Sequence, residues 1–307
     1  MSPIVTEPLV SVVVTTRNEE QNIENCLRSI QYQTYKNTEI IVVDNNSTDL
    51  TKQIASRFTD KIANVGPERA QQRNYGIFRI AQGDYVLYLD ADMILSPTVI
   101  QTCLNQIQSN GDVGLYIDET VLGRGHLATI RRYERRFYTG TVIDAVRFFH
   151  RKVFDSLNGF DETLPPGPED WDLDKRVRAL GTVSVVSEGE KTGDWQLQGL
   201  IHQLGISHSS SYAGIYHNED KQSLRRYLSK KKYYSVNMDP YIGKWGKRDP
   251  DVRTQLGFKS RYFSIFLKNR NYRYVIARPD LAVQLLLLRV AVGVIYLLSL
   301  SKSSRKS

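Results

Sequence analysis

The stretch YVLYLDADMILSP, Tyr85–Pro97, is an apolar, β-prone run that stops on two carboxylates, Asp90 and Asp92. Its first five residues read as a buried strand. Asp-x-Asp at a strand end sets two carboxylates on one edge of a turn, which suits Mg2+ or Mn2+ with positions left open for a diphosphate. The same spacing is also what a turn cap looks like. Among 20 Asp about one such spacing is expected by chance, and four occur. Metal site, turn cap and coincidence all remain open on these residues alone.

The flanking sequence repeats the pattern. VSVVVT (Val10–Thr15) and EIIVV (Glu39–Val43) are two more short buried runs, the second ending on Asp44, and a shorter one covers Lys61–Asn64. Between them, helices are expected over 19–31, capped by Asn18 with Glu19 and Glu20 in the first turn; from Thr48 with Asp49 early; over 68–82, ending at Gly83; and over 97–109. Buried strands alternating with helices predict an α/β fold, a mostly parallel sheet covered by helices on both faces. Ligands of such sheets bind beyond the carboxyl ends of the strands, so Thr15, Asp44 and Asp90 are expected to line one crevice.

Farther on, Val146–Phe154 reads as a strand entering a helix and Asp170–Leu180 as a helix opened by PGPEDWDLDKR. Residues 221–234 read as a basic helix, and RRYERRFYTG (131–140) as a basic, aromatic run. Without repeats or low-complexity segments, one body is expected over 1–220, with halves at about 10–110 and 111–220, followed by a basic, apolar helical tail over 221–307.

Charge divides the chain in the same place. Residues 1–220 carry 21 basic and 29 acidic side chains, and 221–307 carry 20 basic and 4 acidic, or −8 against +16. A basic tail on an acidic body calls for an anionic partner. LAVQLLLLRVAVGVIYLLSL (Leu281–Leu300) makes a membrane surface the expected one, since no nucleic-acid module is recognisable. Arg289 near its middle argues against a simple span at about 2.5 to 3.5 kcal/mol on insertion scales, leaving a span, an interfacial helix and a helix packed on the body as alternatives. Cys26 and Cys103 have no disulfide or metal spacing, and MSPIVTEPLV lacks the regions of a secretory signal. The expected location is therefore the cytoplasmic side of a membrane, peripheral or anchored by the C-terminal segment.

A crevice with Asp44 beyond one strand and Asp90 and Asp92 beyond another can serve both ends of a nucleoside diphosphate. VVVTTRNEE (12–20), IIVVDNNSTD (40–49), ERAQQRNYGIFRIAQGDYVLYLDADM (68–93), GFDETLPPGPEDWDLDKRVRALG (159–181) and IYHNEDKQSLRRYLSKKKYYS (215–235) together resemble the family 2 glycosyltransferases of the GT-A fold. The resemblance implies an inverting enzyme that uses a nucleotide sugar, UDP slightly ahead of GDP, and Mn2+ or Mg2+. It assigns Thr15, Glu19, Asp44, Arg69, Arg73 and Asp90 to the donor nucleotide. Asp90, Asp92 and His217 go to the metal, with Asp92 the surer ligand, and His126, His150, His202 and His208 have weaker claims.

Inversion needs a base that takes the acceptor hydroxyl's proton as the sugar carbon is attacked. The cluster Glu169-Asp170-Trp171-Asp172 matches the family's acidic pair at a helix start, so the resemblance implies Asp170 as the candidate base and Glu169 as a residue orienting the acceptor, with Asp172 and Asp174 exposed; a cluster that only caps a helix is the alternative. Trp171 and Trp195 can stack on a sugar, though core packing is the commoner use of Trp. Arg147 and the 131–140 run can bind an acceptor phosphate of a glycan or lipid-linked carrier, or be solvated surface, as Arg69 and Arg73 can. Two further readings are a nucleotidyltransferase, disfavoured because TTRNEEQN lacks a Gly-rich loop after the first strand, and a silent nucleotide-sugar-binding protein.

Overall fold

A computed structural model describes residues 7–186, 197–204, 214–236 and 238–303, apart from the side chains of 235, 236 and 296–303. Trp195 and His208 lie outside these residues. The first part alternates β1 (Val10–Thr16), α1 (Ile23–Gln31), β2 (Thr38–Asp44), α2 (Thr51–Ala55), β3 (Ile62–Asn64), α3 (Arg69–Tyr75) and β4 (Tyr85–Asp90). Next come β5 (Met93–Leu95), α4 (Val99–Asn110), β6 (Gly114–Tyr116), β7 (Glu119–Leu122), α5 (His126–Arg135), β8 (Val146–His150) and α6 (Arg151–Ser156). They are followed by α7 (Pro168–Arg178), β9 (Val183–Val185), α8 (Gln198–Gln203) and β10 (Ile215–Asn218). Helices close the chain: α9 (Leu224–Val236), α10 (Asp239–Trp245), α11 (Pro250–Leu256), α12 (Ile265–Leu267), α13 (Tyr272–Ala277) and α14 (Pro279–Ser303).

Seven strands form one sheet in the order β3-β2-β1-β4-β8-β6-β9. Because strand side chains alternate, the continuous apolar runs of the sequence supply two cores. Val12, Val14, Val42, Leu87 and Leu89 pack on one face with Ile23, Leu27 and Ile30 of α1 and Ile100 and Leu104 of α4. Val13, Ile41, Val43, Val86 and Tyr88 pack on the other with Ala70 of α3, Phe154 of α6 and Leu173 and Val177 of α7. Four of the six pairings are parallel. β8 is the reversed strand, antiparallel to both β4 and β6. A second, three-stranded sheet in the order β5-β10-β7 stands beside the carboxyl end of β4.

Several helix boundaries depart from the periodicity, and two of them have a plain local reason. α1 starts at Ile23 rather than 19 because the backbone before it is tied to the loop after β2: Asn18 N–H donates to Ser47 Oγ, Glu19 N–H to Thr51 Oγ1 and Glu20 N–H to Asp49 Oδ2. Asn18, at φ +53°, is no helix cap; its Oδ1 accepts from Thr48 N–H at 2.9 Å. α3 runs into a π-helical turn, Gly76–Ile80, and stops at an extended Ala81, short of Gly83. A Cβ on Gly83 would sit 2.6 Å from the Leu9 carbonyl and Ser11 Oγ, so this glycine serves a close approach to β1 rather than a helix end.

The C-terminal helices pack onto the body. Leu281, Ala282, Leu285 and Leu288 of α14 share a core with Ile130 and Tyr133 of α5, Phe137, Tyr138 and Tyr227 of α9. Arg289 turns inward as part of this contact, with Nε and Nη2 each 3.3 Å from Glu134 Oε1 and Nη2 donating to Tyr138 Oη at 3.0 Å. Among the described residues no helix is long and apolar enough to cross a membrane.

Candidate active site

Parallel register aligns the strand ends: Thr16 stands opposite Asp44, and Thr15 opposite Asp90. α3 crosses just beyond them, anchored by Gln72, whose Nε2 donates to the carbonyls of Thr16 and Val43. Arg69 and Arg73, one helical turn apart, therefore point at the same edge. Arg73 is fully buried, donating from Nη2 to Asp90 Oδ1 at 3.0 Å and from Nη1 to Asp170 Oδ1 at 2.7 Å. Arg69 donates to Asp90 Oδ2 at 3.4 Å and to Glu169 Oε1 at 2.9 Å. Thr15 Oγ1 donates to Asp90 at 3.1 Å. Burial opposes ionisation of Asp90, but Arg73 and Arg69 outweigh it and hold the carboxyl well below the usual range. Neither arginine is a solvated surface residue.

Asp92 has a different partner. β10 pairs antiparallel with β5, placing His217 opposite Met93, and His217 Nε2 lies 3.1 Å from Asp92 Oδ2. Nδ1 donates to Glu119 Oε1 at 2.9 Å. Burial works against a charged imidazole, yet Asp92 and Glu119 overcome it and raise its pKa well above the ordinary value. Asp92 Oδ1 is buried with no hydrogen-bond partner. A carboxylate and an imidazole side by side, with one oxygen unused, fit a divalent cation such as Mn2+. Among the described residues no group of three or more His, Cys, Asp or Glu is placed to hold a metal ion, so the pair of Asp92 and His217 is the whole of what the protein offers here.

Gly167, at φ +109°, turns the chain into α7. That left-handed entry, favourable only to glycine, sets Glu169 and Asp170 in the first turn, facing α3. Asp170 Oδ1 accepts from both Arg73 and the Tyr88 hydroxyl, the latter at 3.2 Å. Glu169 is buried, and although Arg69 pulls its pKa down, burial pushes it up to about 7. Its Oε2 has no partner.

Other residues singled out in the sequence lie elsewhere or do other work. Glu19 precedes α1; its side chain accepts from Asn22 Nδ2 at 2.7 Å, and burial followed by the charges of Asp92 and Asp90 raises its pKa, so it borders the Asp-x-Asp turn. Asp44 is fully buried at the end of β2, and each of its oxygens accepts one bond from Ser47, from the backbone N–H and from the hydroxyl, which closes the turn after the strand. Trp171 packs against Tyr241 and donates from Nε1 to the Ile143 carbonyl, so its ring is no open sugar platform. Asp172 and Asp174 are buried, not exposed: Asp172 accepts from Arg176 and Trp245, and Asp174 from Tyr116 and Arg178, because Tyr116 of β6 and Trp245 of α10 close over α7.

The 131–140 run is not an open phosphate patch. Arg131 pairs with Glu134 and Glu219, Arg135 with Asp144 and Glu119, and Arg132 donates to the carbonyls of Val121 and Gly123. Arg147 is buried over the Tyr88 ring, 3.5 Å from Glu119, and its Nε and Nη1 have no partner. Glu119 and Tyr88 were missed in the sequence. Tyr88 was within reach, since it lies two residues before Asp90 and so shares its face of β4; Glu119, in a strand whose pairing was not predictable, gave no signal.

Residues 11–157 match the sequence model of the family described as glycosyl transferase family 2. The glycosyltransferase GlyG of Streptococcus pneumoniae serotype 4 is 36% identical over 107 residues, 33% of this chain and 35% of that protein. The mannosyltransferase PcManGT of Pyrobaculum calidifontis, solved with GDP-Man and Mn2+, superposes with a TM-score of 0.58 at 17% identity, over 95% of this chain and 88% of that one. S. aureus TarS in complex with UDP-GlcNAc superposes with a TM-score of 0.53 at 18% identity, over 94% and 88%. At such identities the likeness is one of fold. The chain spans only 21% and 35% of the length of the first curated relatives it matches.

Proposed function

For a chain whose residues 11–157 match glycosyl transferase family 2 and whose fold is that of the GT-A enzymes, we propose transfer of a sugar, with inversion, from a nucleoside-diphosphate sugar to an acceptor hydroxyl. The observation that carries this reading is one guanidinium: Arg73 joins Asp90, beside the Asp92–His217 pair, to Asp170. A donor-end carboxylate and a candidate base are thereby held in one rigid unit, as a reaction between two bound substrates requires.

Asp170 is the proposed base. Both of its bonds, from Arg73 and Tyr88, fall on Oδ1, so Oδ2 is the oxygen that takes the acceptor proton as the sugar carbon is attacked. Thr15, Glu19, Arg69 and Asp90 border the donor, and Arg69, the more exposed of the two arginines, is the cation within reach of a diphosphate. Asp92 and His217 are the residues that would hold Mn2+ or Mg2+. When bound, the cation supplies neutralisation of the charge developing on the leaving diphosphate. Glu169 and Arg147 face the acceptor side, and the two unpartnered N–H groups of Arg147 suit an anionic acceptor such as a lipid-linked phosphate. UDP stands slightly ahead of GDP, and the basic excess after residue 220 favours work at the cytoplasmic face of a membrane.

A thermal-shift screen of nucleotides and nucleotide sugars with and without Mn2+ tests the donor half, because a ligand that binds only the folded chain raises Tm. A shift that needs both Mn2+ and one nucleotide class is expected. No metal-dependent shift with any nucleotide would overturn the reading. For the acceptor half, Asp170→Asn should keep the donor-dependent shift and lose about 100-fold or more in transfer; unchanged transfer would remove Asp170 as the base.

A further inference from the structure

We propose that α14 and the segment leading into it form an in-plane seat on an anionic phospholipid bilayer, holding the chain on the membrane without spanning it. α14 is apolar nearly all round, a pattern of buried or membrane helices. Leu285, Leu288 and Arg289 face the body. On the opposite side Val283, Leu287, Val290 and Val294 recur at helical spacing as one line, each 48% to 64% exposed. Nothing charged interrupts that line.

The preceding segment is exposed and apolar as well. Phe258, Phe263, Leu267 and Ile276 are each more than half exposed, and the Tyr262 hydroxyl donates to the Arg289 carbonyl at 2.8 Å, binding this segment along α14. Exposed Lys259, Lys268, Arg270 and Arg273 lie among them. Residues 257–295 hold seven basic side chains and one acidic, Asp280, which Arg278 takes at 2.7 Å. A concentration of exposed apolar side chains in one segment marks an interaction surface, and the cations interleaved in the sequence choose its partner. Two copies meeting through this face would bring like charges together, whereas a leaflet of anionic headgroups supplies both an apolar layer and the counter-charge. The inward turn of Arg289 removes the obstacle that made the sequence difficult to place, since that charge is paired within the protein and never meets lipid.

This proposal rests on the membrane-face reading above, but it is measured without a sugar donor, so failure of the donor chemistry and failure of the seat are separate results. Full-length protein is sedimented with phosphatidylcholine vesicles with or without phosphatidylglycerol, alongside Leu287→Glu/Val290→Glu and Arg270→Glu/Arg273→Glu. The expected result is binding about tenfold or more stronger with phosphatidylglycerol, weakening with salt, and release at carbonate pH. The apolar double variant should lose about tenfold or more in vesicle binding, and the charge variant should lose the lipid preference. Both variants should keep the parent's circular dichroism and Tm. Equal binding to both vesicles, or full binding by the apolar variant, would overturn the proposal. Retention after carbonate would replace the seat by a span, and a concentration-dependent dimer dissolved by Leu287→Glu/Val290→Glu would make a second copy the occupant.

Discussion

Asp92, in the turn that leads from β4 into β5, meets His217 of the neighbouring β10, with 3.1 Å between Oδ2 and Nε2. Since Glu119 takes the other ring nitrogen at 2.9 Å, the imidazole cannot turn away from Asp92 without breaking a buried bond. This carboxylate, histidine, carboxylate line has the form in which metal-ligating histidines are held by an outer partner.

His217→Ala should therefore lower Mn2+ affinity more than Glu119→Gln does, with the latter falling by about 10- to 100-fold as outer-partner changes do. Titration of free Mn2+ by electron paramagnetic resonance measures both without any turnover. Parent-like Mn2+ affinity in His217→Ala would remove this pair as the metal site.

Arg73 is the buried joint of the crevice, spanning Asp90 and Asp170 over the rings of Tyr88 at 4.5 Å and Phe160 at 5.2 Å. Lysine carries the charge but not the planar fork, so Arg73→Lys can satisfy one carboxylate and leaves the other short of a partner. Breaking a buried pair costs about 3 to 5 kcal/mol, and part of that should appear as a lower urea midpoint. The kinetic loss should fall on kcat more than on donor KM, because it is the position of the base that changes. A purely structural arginine would lower stability with parent-like turnover per folded molecule.

Glu169 should make stability depend on pH in a defined window. Its folded pKa is pushed from an ordinary 4.5 up to about 7 by burial. Below 4.5 both states carry the proton and the full stability is present; as pH rises, the unfolded chain releases the proton first and stability falls until about pH 7, beyond which the loss is constant. That span corresponds to a ceiling of roughly 3 kcal/mol. Glu169→Gln abolishes the titration while keeping an acceptor for Arg69. The variant's stability relative to the parent should climb between pH 4.5 and 7 and then level off, as read from urea unfolding across that range. A difference independent of pH would show that Glu169 does not titrate there.

What the sequence disclosed follows from which interactions are local. The two-faced core was legible because Val12 and Val14, or Val13 and Val43, announce their faces by alternation along their own strands. The strand-end positions of Thr15, Asp44 and Asp90 came with it. The direction of β8 and the closure of β5, β10 and β7 were not legible, since pairing between distant segments leaves no period in either one. Asp172 and Asp174 show the same limit: a charged run at a helix start reads as solvated until Tyr116 and Trp245, far away in the chain, are known to cover it. Asp44 shows the converse, a carboxylate rightly placed at a strand end and bonded by Ser47 only three residues on.

Arg289 and Glu134 give the sharpest test of how the C-terminal helix is held. Both are buried, and Glu134 also bonds Arg131 and the Tyr138 hydroxyl. Glu134→Ala strips Arg289 of its carboxylate inside the protein, so a loss of about 3 to 5 kcal/mol is expected. Arg289→Met removes the charge and keeps an apolar stem against Tyr138 and Phe266, and should lose less, because Glu134 retains Arg131. In the double variant neither side leaves an unpaired buried charge, so its loss should be smaller than the sum of the two single losses, by about 1 to 3 kcal/mol for residues in direct contact. Urea unfolding of the four chains closes the cycle. Simple additivity would mean that the two side chains do not act on each other, and that α14 is held to α5 by its leucines alone.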